Sequence, residues 1–456
     1  MSSASRPERP PGWRLIARLA AIGGILARHL VRAAAGKLGA GRRAPSPGEA
    51  GAWIAPLLAA LGPSFVKIGQ VLGTRRDLIP AAWCRALSVL DDRVPPPDRA
   101  ALERAVGEAH GRGPSLGAPP PEAGSGEARE PPADRRGAGE GLARAPFREI
   151  DWTPIASGSI ATVHTAVLVD GRTVALKLRR PGIAPVMHLD LALVLFAARL
   201  AERLPGLGRL PLVEMAEQVG SAIVRQLDFS AERDALLALR HNLRERPEVR
   251  VPEVYAELCT ETTLVMELLP DLRRLGPADL GERERRQVVA HTLGAVYQML
   301  FRDGLVHCDL HPGNLYPRPD AGIVIVDGGF VVKMPEKARR LFAEFFIGMV
   351  LGRGRRCADI VIESARRIDE DSDLGGFRRA VAELVASVTG ARAKTFDLAV
   401  FAGRLFDAQR RFGLYAAPEF VFPLMSLLVV EGMVNEFDPE ADFQGLALPH
   451  LVAALA

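Results

Sequence analysis

Apolar residues recur with a helical period over residues 13–38, and this pattern predicts a long amphipathic helix. Two facing arcs divide the helix. The apolar arc comprises Leu15, Leu19, Ile22, Leu26 and Leu30, and the basic arc comprises Arg14, Arg18, Arg28 and Arg32. Such a helix suits an anionic membrane surface. The alternative is a helix packed on the protein's own body with a solvated arginine face.

Beyond this helix the pattern predicts helices and strands in distinct blocks. Residues 1–12 are polar and proline-rich and are expected to be disordered. Residues 111–146 contain almost no large apolar residue, so a flexible insertion is expected there. Helical patterns cover 53–110, 186–246 and most of the remainder. Strand-like alternation covers 150–178, 262–269 and parts of 305–333.

Composition narrows the class of protein. The chain is 48% hydrophobic and 25% charged, as expected of a globular protein, and its net charge of +4 is too small to indicate nucleic-acid binding. The four cysteines lie far apart and form no CxxC pair, which fits a reducing compartment. Signal-peptide features are not expected, and the C-terminal run "FVFPLMSLLVV" is too short to span a bilayer.

A kinase-like spacing of polar residues follows in "GLVHCDLHPGNL" (304–315). His307 and Asp309 form a His-x-Asp pair, and Asn314 follows Asp309 by five residues. Protein-kinase catalytic loops place their base and their metal-binding Asn at this spacing. Asp327 follows in "VIVDGGF" after three β-branched residues, where it is either a solvated turn residue or a metal ligand.

A lysine and a small-residue loop precede this motif. Lys177 lies in an apolar, alternating strand, where it either reaches a buried anion or protects a sheet edge. A tight turn at Ser157, Gly158 and Ser159 lies between two strands, where backbone N–H groups can face phosphates. Each signal is weak alone, and their order along the chain indicates a kinase-type nucleotide site.

The chain resembles the UbiB/AarF family of atypical kinases, associated with coenzyme Q biosynthesis, over roughly residues 53–440 without the insertion. The resemblance rests on several stretches. They are "LGPSFVKIGQVLGTRRDLIP" (61–80) with its KxGQ signature, "PIASGSI", "VALKLRRPGI", "QLDFSAERDA", "HCDLHPGNL" and "VVEGMVNEFDP".

The resemblance implies an α+β, bilobal protein-kinase-like fold with an N-terminal helical extension. The implied segments are a tail plus basic helix (1–50), the KxGQ extension (51–110), the insertion (111–146), an N-lobe (147–270) and a helical C-lobe (271–456).

The resemblance also implies roles for individual residues. Lys177 would pair with Glu232, Asp309 would be catalytic, and Asn314 and Asp327 would bind the metal. The implied nucleotide-binding residues are Ala156, Ser157, Gly158, Ser159, Lys177, Met266, Glu267, Leu268, Lys67 and Gln70. Three positions depart from the family: Gln226 for Glu, Gly158 for Ala, and Gly328 for the Phe of Asp-Phe-Gly.

The implied function is an ATP (or ADP) and Mg²⁺-dependent kinase or ATPase that supports isoprenoid-quinone biosynthesis. Its expected partners are an anionic membrane surface or a lipid or phenolic quinone precursor, together with quinone-biosynthesis proteins and no nucleic acid. Its expected location is cytoplasmic with peripheral membrane association. Alternatives are a small-molecule kinase of the aminoglycoside or choline kinase type, and a non-catalytic nucleotide-binding scaffold.

Overall fold

The fold was analysed in a computed structural model. It describes residues 12–39, 54–74, 79, 81–87, 89–90, 94–111, 146–204, 212–270, 272, 275–311, 313–388 and 397–455. The tail predicted at residues 1–12 and the insertion predicted at 111–146 lie almost wholly outside these ranges.

Helices form most of the described chain. They are α1 (Gly12–Gly39), α2 (Ile54–Leu61), α3 (Pro63–Thr74), α4 (Ala81–Leu87), α5 (Arg99–His110), α6 (Ile183–Ala201), α7 (Leu212–Arg225), α8 (Phe229–Asn242), α9 (Glu282–Tyr297), α10 (Glu336–Val350), α11 (Gly354–Glu363), α12 (Leu374–Val388), α13 (Leu398–Arg411), α14 (Pro418–Phe437) and α15 (Phe443–Leu455). A π-helical turn, Gln298–Asp303, extends α9.

Short strands form small sheets between the helices. They are β1 (Phe147–Ser157), β2 (Ala161–Leu168), β3 (Thr173–Arg179), β4 (Val249–Arg250), β5 (Thr263–Glu267), β6 (Leu305–His307), β7 (Leu315–Pro317), β8 (Ile323–Ile325), β9 (Val331–Lys333), β10 (Ala365–Ile368) and β11 (Leu414–Ala416). The largest sheet has the order β1-β2-β3-β5 with antiparallel pairing throughout. The α+β class predicted from the sequence is confirmed.

Strand β3 separates two packed layers. Val174, Leu176 and Leu178 are buried in a small core that also contains Leu102 and Val106 of α5. Because successive strand residues point to opposite faces, Lys177 lies on the other face, toward α8. This alternation places a lysine inside an otherwise apolar strand.

Two strand pairs bring distant loops together. β7 pairs with β8, and the N–H of Val326 donates to the carbonyl of Asn314 at 3.1 Å. β6 pairs with β9, and the N–H of Cys308 donates to the carbonyl of Phe330 at 2.9 Å. The loop after β6 and the loop after β8 therefore lie side by side.

Helix α1 has the predicted length but an unexpected orientation. Arg18 donates from Nε and Nη2 to both carboxylate oxygens of Asp190 on α6, at 2.6 and 2.8 Å, and the Asp190 side chain is completely buried. Ile22 and Ile25 share this inward side and pack on the core. The prediction of a wholly outward arginine arc is therefore wrong at Arg18, which holds α1 to the protein.

Within the described ranges, two helices are long and apolar enough to cross a membrane, α6 and α14. The run "FVFPLMSLLVV", predicted to be too short to span a bilayer, is part of the 20-residue helix α14. This helix is long enough to span one, so the prediction is wrong on length. Of the most apolar 18 residues, 72% are buried in α14 and only 17% in α6. Helix α14 is thus a core helix, whereas α6 is mainly exposed.

Candidate active site

Three charged side chains meet where β3, α8 and the end of β8 converge. The Nζ of Lys177 lies 2.6 Å from Oε1 of Glu232 and 2.9 Å from Oδ2 of Asp327. Asp327 also accepts the N–H of Gly329 through Oδ1 at 2.7 Å. Because an ammonium group has three donors, Lys177 retains one for a further acceptor.

The pKa shifts follow from burial and from these contacts. Burial alone would lower the pKa of Lys177, but the negative charges of Asp327 and Glu232 outweigh it and raise that pKa. Burial opposes ionisation of Asp327, yet the Lys177 charge holds its pKa well below the usual range. Burial raises the pKa of Glu232 against the opposing effect of Lys177. Lys177 is therefore a permanent cation and Asp327 a permanent anion at neutral pH.

Helix α8 begins at a side-chain cap. Asp228 is its N-cap residue and accepts the N–H of Ser230 at 2.9 Å. This cap satisfies a free backbone donor at the helix start. Glu232 then lies on the first helical turn, directed at Lys177. Asp228, which lies in the quoted stretch "QLDFSAERDA", thus caps the helix that carries Glu232.

His307 links the two loops. Its Nε2 donates to the carbonyl of Asp327 at 2.6 Å, and its Nδ1 accepts the N–H of Asp309 at 3.2 Å. Both bonds require the neutral ring with its proton on Nε2. Burial lowers the pKa of His307, which favours this neutral form over the opposing charges of Asp327 and Asp309. The carbonyl of His307 in turn accepts Ser426 Oγ–H from α14 at 2.7 Å.

Asn314 shapes the loop that carries Asp309. Its Nδ2 donates to the carbonyl of Asp309 at 2.9 Å, which closes the loop on itself. The amide oxygen of Asn314 and the carboxylate of Asp309 make no hydrogen bond within the part of the chain that the structure describes, apart from a 3.7 Å approach of His311 to Asp309. Both groups therefore remain able to bind a ligand.

Hydrogen bonds from Arg180 hold the small-residue loop between β1 and β2. Arg180 donates from Nε to the carbonyl of Gly158 at 2.7 Å and from Nη2 to Ser157 Oγ at 2.9 Å. Ser157 Oγ–H and Arg180 Nη2 both donate to the carbonyl of Val94, which precedes α5. Gly158 does not adopt a left-handed conformation, so the φ > 0 that glycine permits is not used here.

The KxGQ helix α3 packs on the neighbouring helices α2, α4, α6 and α7. Gln70 donates to the carbonyl of Leu90 at 3.4 Å, and Lys67 forms no hydrogen bond or ion pair with any residue in the described ranges. A Cβ on Gly69 would lie 2.4 Å from Leu90 and 2.7 Å from Leu58. The glycine of this signature therefore permits close helix packing. The structure does not join Lys67 or Gln70 to the Lys177 cluster.

Met266, Glu267 and Leu268, three of the predicted nucleotide-binding residues, lie at the end of β5. Met266 is buried, and the N–H of Glu267 donates to the carbonyl of Glu253 at 2.8 Å. The Glu267 side chain pairs with Arg250. The N–H and the side chain of Glu267 are therefore both engaged within the protein, and Leu268 packs on the core.

Gly328 has a packing reason that the sequence did not reveal. A Cβ there would lie 2.9 Å from Cγ of Leu236 and 3.0 Å from the carbonyl oxygen of Glu232, both on α8. The loop backbone therefore lies directly against the helix that carries Glu232. Arg180 was also missed as a functional residue, although it stands in the quoted "LRRPG" stretch.

Strands, helices and site together define a protein-kinase-like fold. The family model described as "ABC1 atypical kinase-like domain" matches residues 138–361. The "Probable protein kinase UbiB" of Aeromonas hydrophila subsp. hydrophila is 31% identical over 409 residues, which are 88% of this chain and 69% of that protein. The chain belongs to this UbiB-type family of atypical kinases.

Other relatives and solved structures are similar to the chain to a lesser degree. The "Probable protein kinase UbiB" of Cronobacter sakazakii is 28% identical, over 88% of this chain and 70% of that protein. The Rv3197–erythromycin complex from Mycobacterium tuberculosis has a TM-score of 0.40 at 19% identity, covering 64% of this chain and 78% of that one.

Gly328→Ala is expected to lower the free energy of unfolding by about 1–3 kcal/mol, because the new Cβ overpacks against α8. Gly403→Ala in α13 is the matched control, since nothing lies within 4 Å of its Cβ position. It should be neutral or stabilise by up to about 1 kcal/mol. Urea unfolding measures both. Equal effects of the two substitutions would contradict the close contact of Gly328 with α8.

His307 is expected to make stability depend on pH. Its folded pKa lies below its unfolded value, so below about pH 6.5 the unfolded chain binds a proton that the folded chain does not. Stability should therefore fall as the pH drops from 7.5 to 5.5, with this residue contributing at most about 1.4 kcal/mol per pH unit.

His307→Gln isolates this contribution, because other histidines, such as His164, are also shifted downward by burial. Urea unfolding across the pH range should show a shallower slope for the variant. An unchanged slope would mean that His307 is not held neutral.

Proposed function

We propose that the protein binds ATP or ADP with Mg²⁺ at the Lys177 cluster and transfers the γ-phosphoryl group to an acceptor or to water. The observation that carries the proposal is the position of the Lys177 ammonium group between Glu232 and Asp327. Its ion pairs with these two carboxylates leave one of its three N–H donors available. A fixed cation with a free donor suits the phosphates of a nucleotide. Catalysis would consist of positioning and electrostatic stabilisation.

The residues at the site suit Mg²⁺. Asp327 offers a carboxylate and Asn314 an amide oxygen, and Mg²⁺ prefers such hard oxygen donors. Among the described residues, no group of three or more His, Cys, Asp or Glu side chains could hold a metal. Mg²⁺ is usually bound by few protein ligands, with substrate phosphates and water completing its coordination. One carboxylate and one amide oxygen would therefore suffice when a nucleotide is bound. When bound, the ion would neutralise phosphate charge.

The proposed roles of the remaining residues rest on the hydrogen bonds that position the loops. Asp309 would orient the acceptor hydroxyl, at a distance from Asp327 that His307 fixes through two hydrogen bonds. Ala156, Ser157 and Ser159 would line the phosphates on a loop that Arg180 holds. The N–H of Gly158 already donates to the carbonyl of Ala161 at 2.8 Å, so Gly158 would contribute only a close approach of its backbone. Met266, Glu267 and Leu268 would line the adenine site, and Lys67 and Gln70 would approach from α3.

The family resemblance extends the proposal to a process. The acceptor would be a lipid or phenolic precursor of an isoprenoid quinone, and the protein would act at an anionic membrane surface, beside other quinone-biosynthesis proteins, from the cytoplasm. The exposed apolar side of α1 and the exposed Arg28 support the membrane part of the proposal.

Asp327→Asn should abolish the tightening of nucleotide binding by Mg²⁺, because the amide cannot replace an anionic metal ligand. Titration calorimetry with ADP, with and without Mg²⁺, measures the effect. Asp320→Asn, in the turn between β7 and β8 and paired with Arg318, is the control. If Asp327→Asn binds Mg-ADP as the wild type does, Asp327 is a turn residue only.

Asp309→Asn should keep Mg-nucleotide affinity within a few-fold of wild type and lose turnover, by a factor of about 100 or more. Phosphate release and transfer to added phenolic lipid precursors are the measurements. Turnover that is undetectable in the wild type, despite tight Mg-nucleotide binding, would identify a nucleotide-binding scaffold instead.

A further inference from the structure

Helix α6 turns an apolar stripe outward. Phe196 is 66% exposed, Leu200 54% and Val186 41%. At about 100° per residue, these side chains lie within an arc of about 80°, opposite the buried Met187. Exposed apolar side chains grouped on one helix face are a feature of contact surfaces.

Helix α1 extends the same kind of surface. Trp13, Ile16 and Val31 are each about two-thirds exposed, on the side opposite Arg18. The completely buried Asp190 of α6 receives two hydrogen bonds from Arg18. This ion pair ties α1 to α6, and the exposed apolar side chains of the two helices are named here together the α1–α6 surface.

The charges around the α1–α6 surface are basic. Arg28, Arg199 and Arg203 are exposed, and none forms an ion pair with any residue that the structure describes. Helix α1 contains no acidic residue. Free guanidinium groups beside exposed apolar side chains complement a layer of anionic headgroups over hydrocarbon.

We propose that the α1–α6 surface docks on an anionic bilayer, with α6 lying in the plane of the interface. This deepens the membrane association in the proposed function, on which it rests, and adds α6 as the principal contact. A second copy of the chain fits less well, because a two-fold interface would bring the same unpaired arginines together.

The test is sedimentation of the full chain with vesicles of equimolar phosphatidylcholine and phosphatidylglycerol, and with vesicles of phosphatidylcholine alone. Phe196→Gln/Leu200→Gln should lower the apparent affinity for the mixed vesicles at least tenfold. Binding to phosphatidylcholine alone should be weaker for every protein. Mg-ADP affinity and the thermal transition should stay unchanged, since both side chains are exposed.

The matched control is Leu448→Gln/Val452→Gln, an equally spaced pair on α15 whose side chains are 50% and 59% exposed. It should bind vesicles within twofold of wild type. Vesicle binding by the α6 variant equal to that of wild type, or an equal loss in both pairs, would overturn the proposal.

Two further outcomes separate this inference from the proposed function. If the wild type ignores the vesicles but binds Mg-ADP, the membrane proposals fail and the nucleotide site stands. If the wild type sediments as a dimer without vesicles and the α6 variant as a monomer, a second copy covers the surface and the bilayer proposal is wrong.

Discussion

The site depends on one buried ion cluster, in which Lys177 satisfies both Glu232 and Asp327. One cation between two carboxylates leaves a net negative charge if both are ionised. Such a cluster is stable in a low-dielectric site only with well-placed partners, and removing one partner would leave uncompensated charge. Under the proposed function, the same excess of negative charge would favour a bound divalent cation. Strand β3, helix α8 and the end of β8 are thereby constrained to a single mutual arrangement.

Much of this arrangement could be predicted because it depends on local spacing. The five-residue interval from Asp309 to Asn314 sets a loop that a single side-chain hydrogen bond closes. The alternation around Lys177 fixes the face of β3 on which the lysine lies. The order of these motifs along the chain was enough for the fold class, since a kinase-like topology brings them together. The roles of the individual side chains remain predictions.

Other features could not be predicted because they depend on distant partners. Periodicity predicts that α1 has an apolar and a basic side, but it does not predict which side faces the protein. Asp190, 172 residues from Arg18, decides this. Likewise, α6 and α14 are similarly apolar in sequence, and only the fold buries one and exposes the other. In the sequence, Gly328 is only a departure from the Asp-Phe-Gly pattern. In the structure, the close approach of α8 leaves no room for a Cβ at this position. Tertiary context decides each case.

The loop between β1 and β2, the proposed nucleotide loop, shares one packed core with the proposed membrane surface. Ile160, beside the loop, lies in the same cluster as Phe65 of α3 and Met187 of α6. Val94 and Arg180 tie the loop to the helical extension through hydrogen bonds. Hydrogen bonds also connect the loop to the start of α6: the N–H of Ile183 donates to the carbonyl of Arg180 at 3.2 Å, and the N–H of Arg180 donates to the carbonyl of Ile160 at 2.8 Å. Because Arg180 also holds the carbonyl of Gly158, the start of α6 and the loop between β1 and β2 are positioned by the same residue.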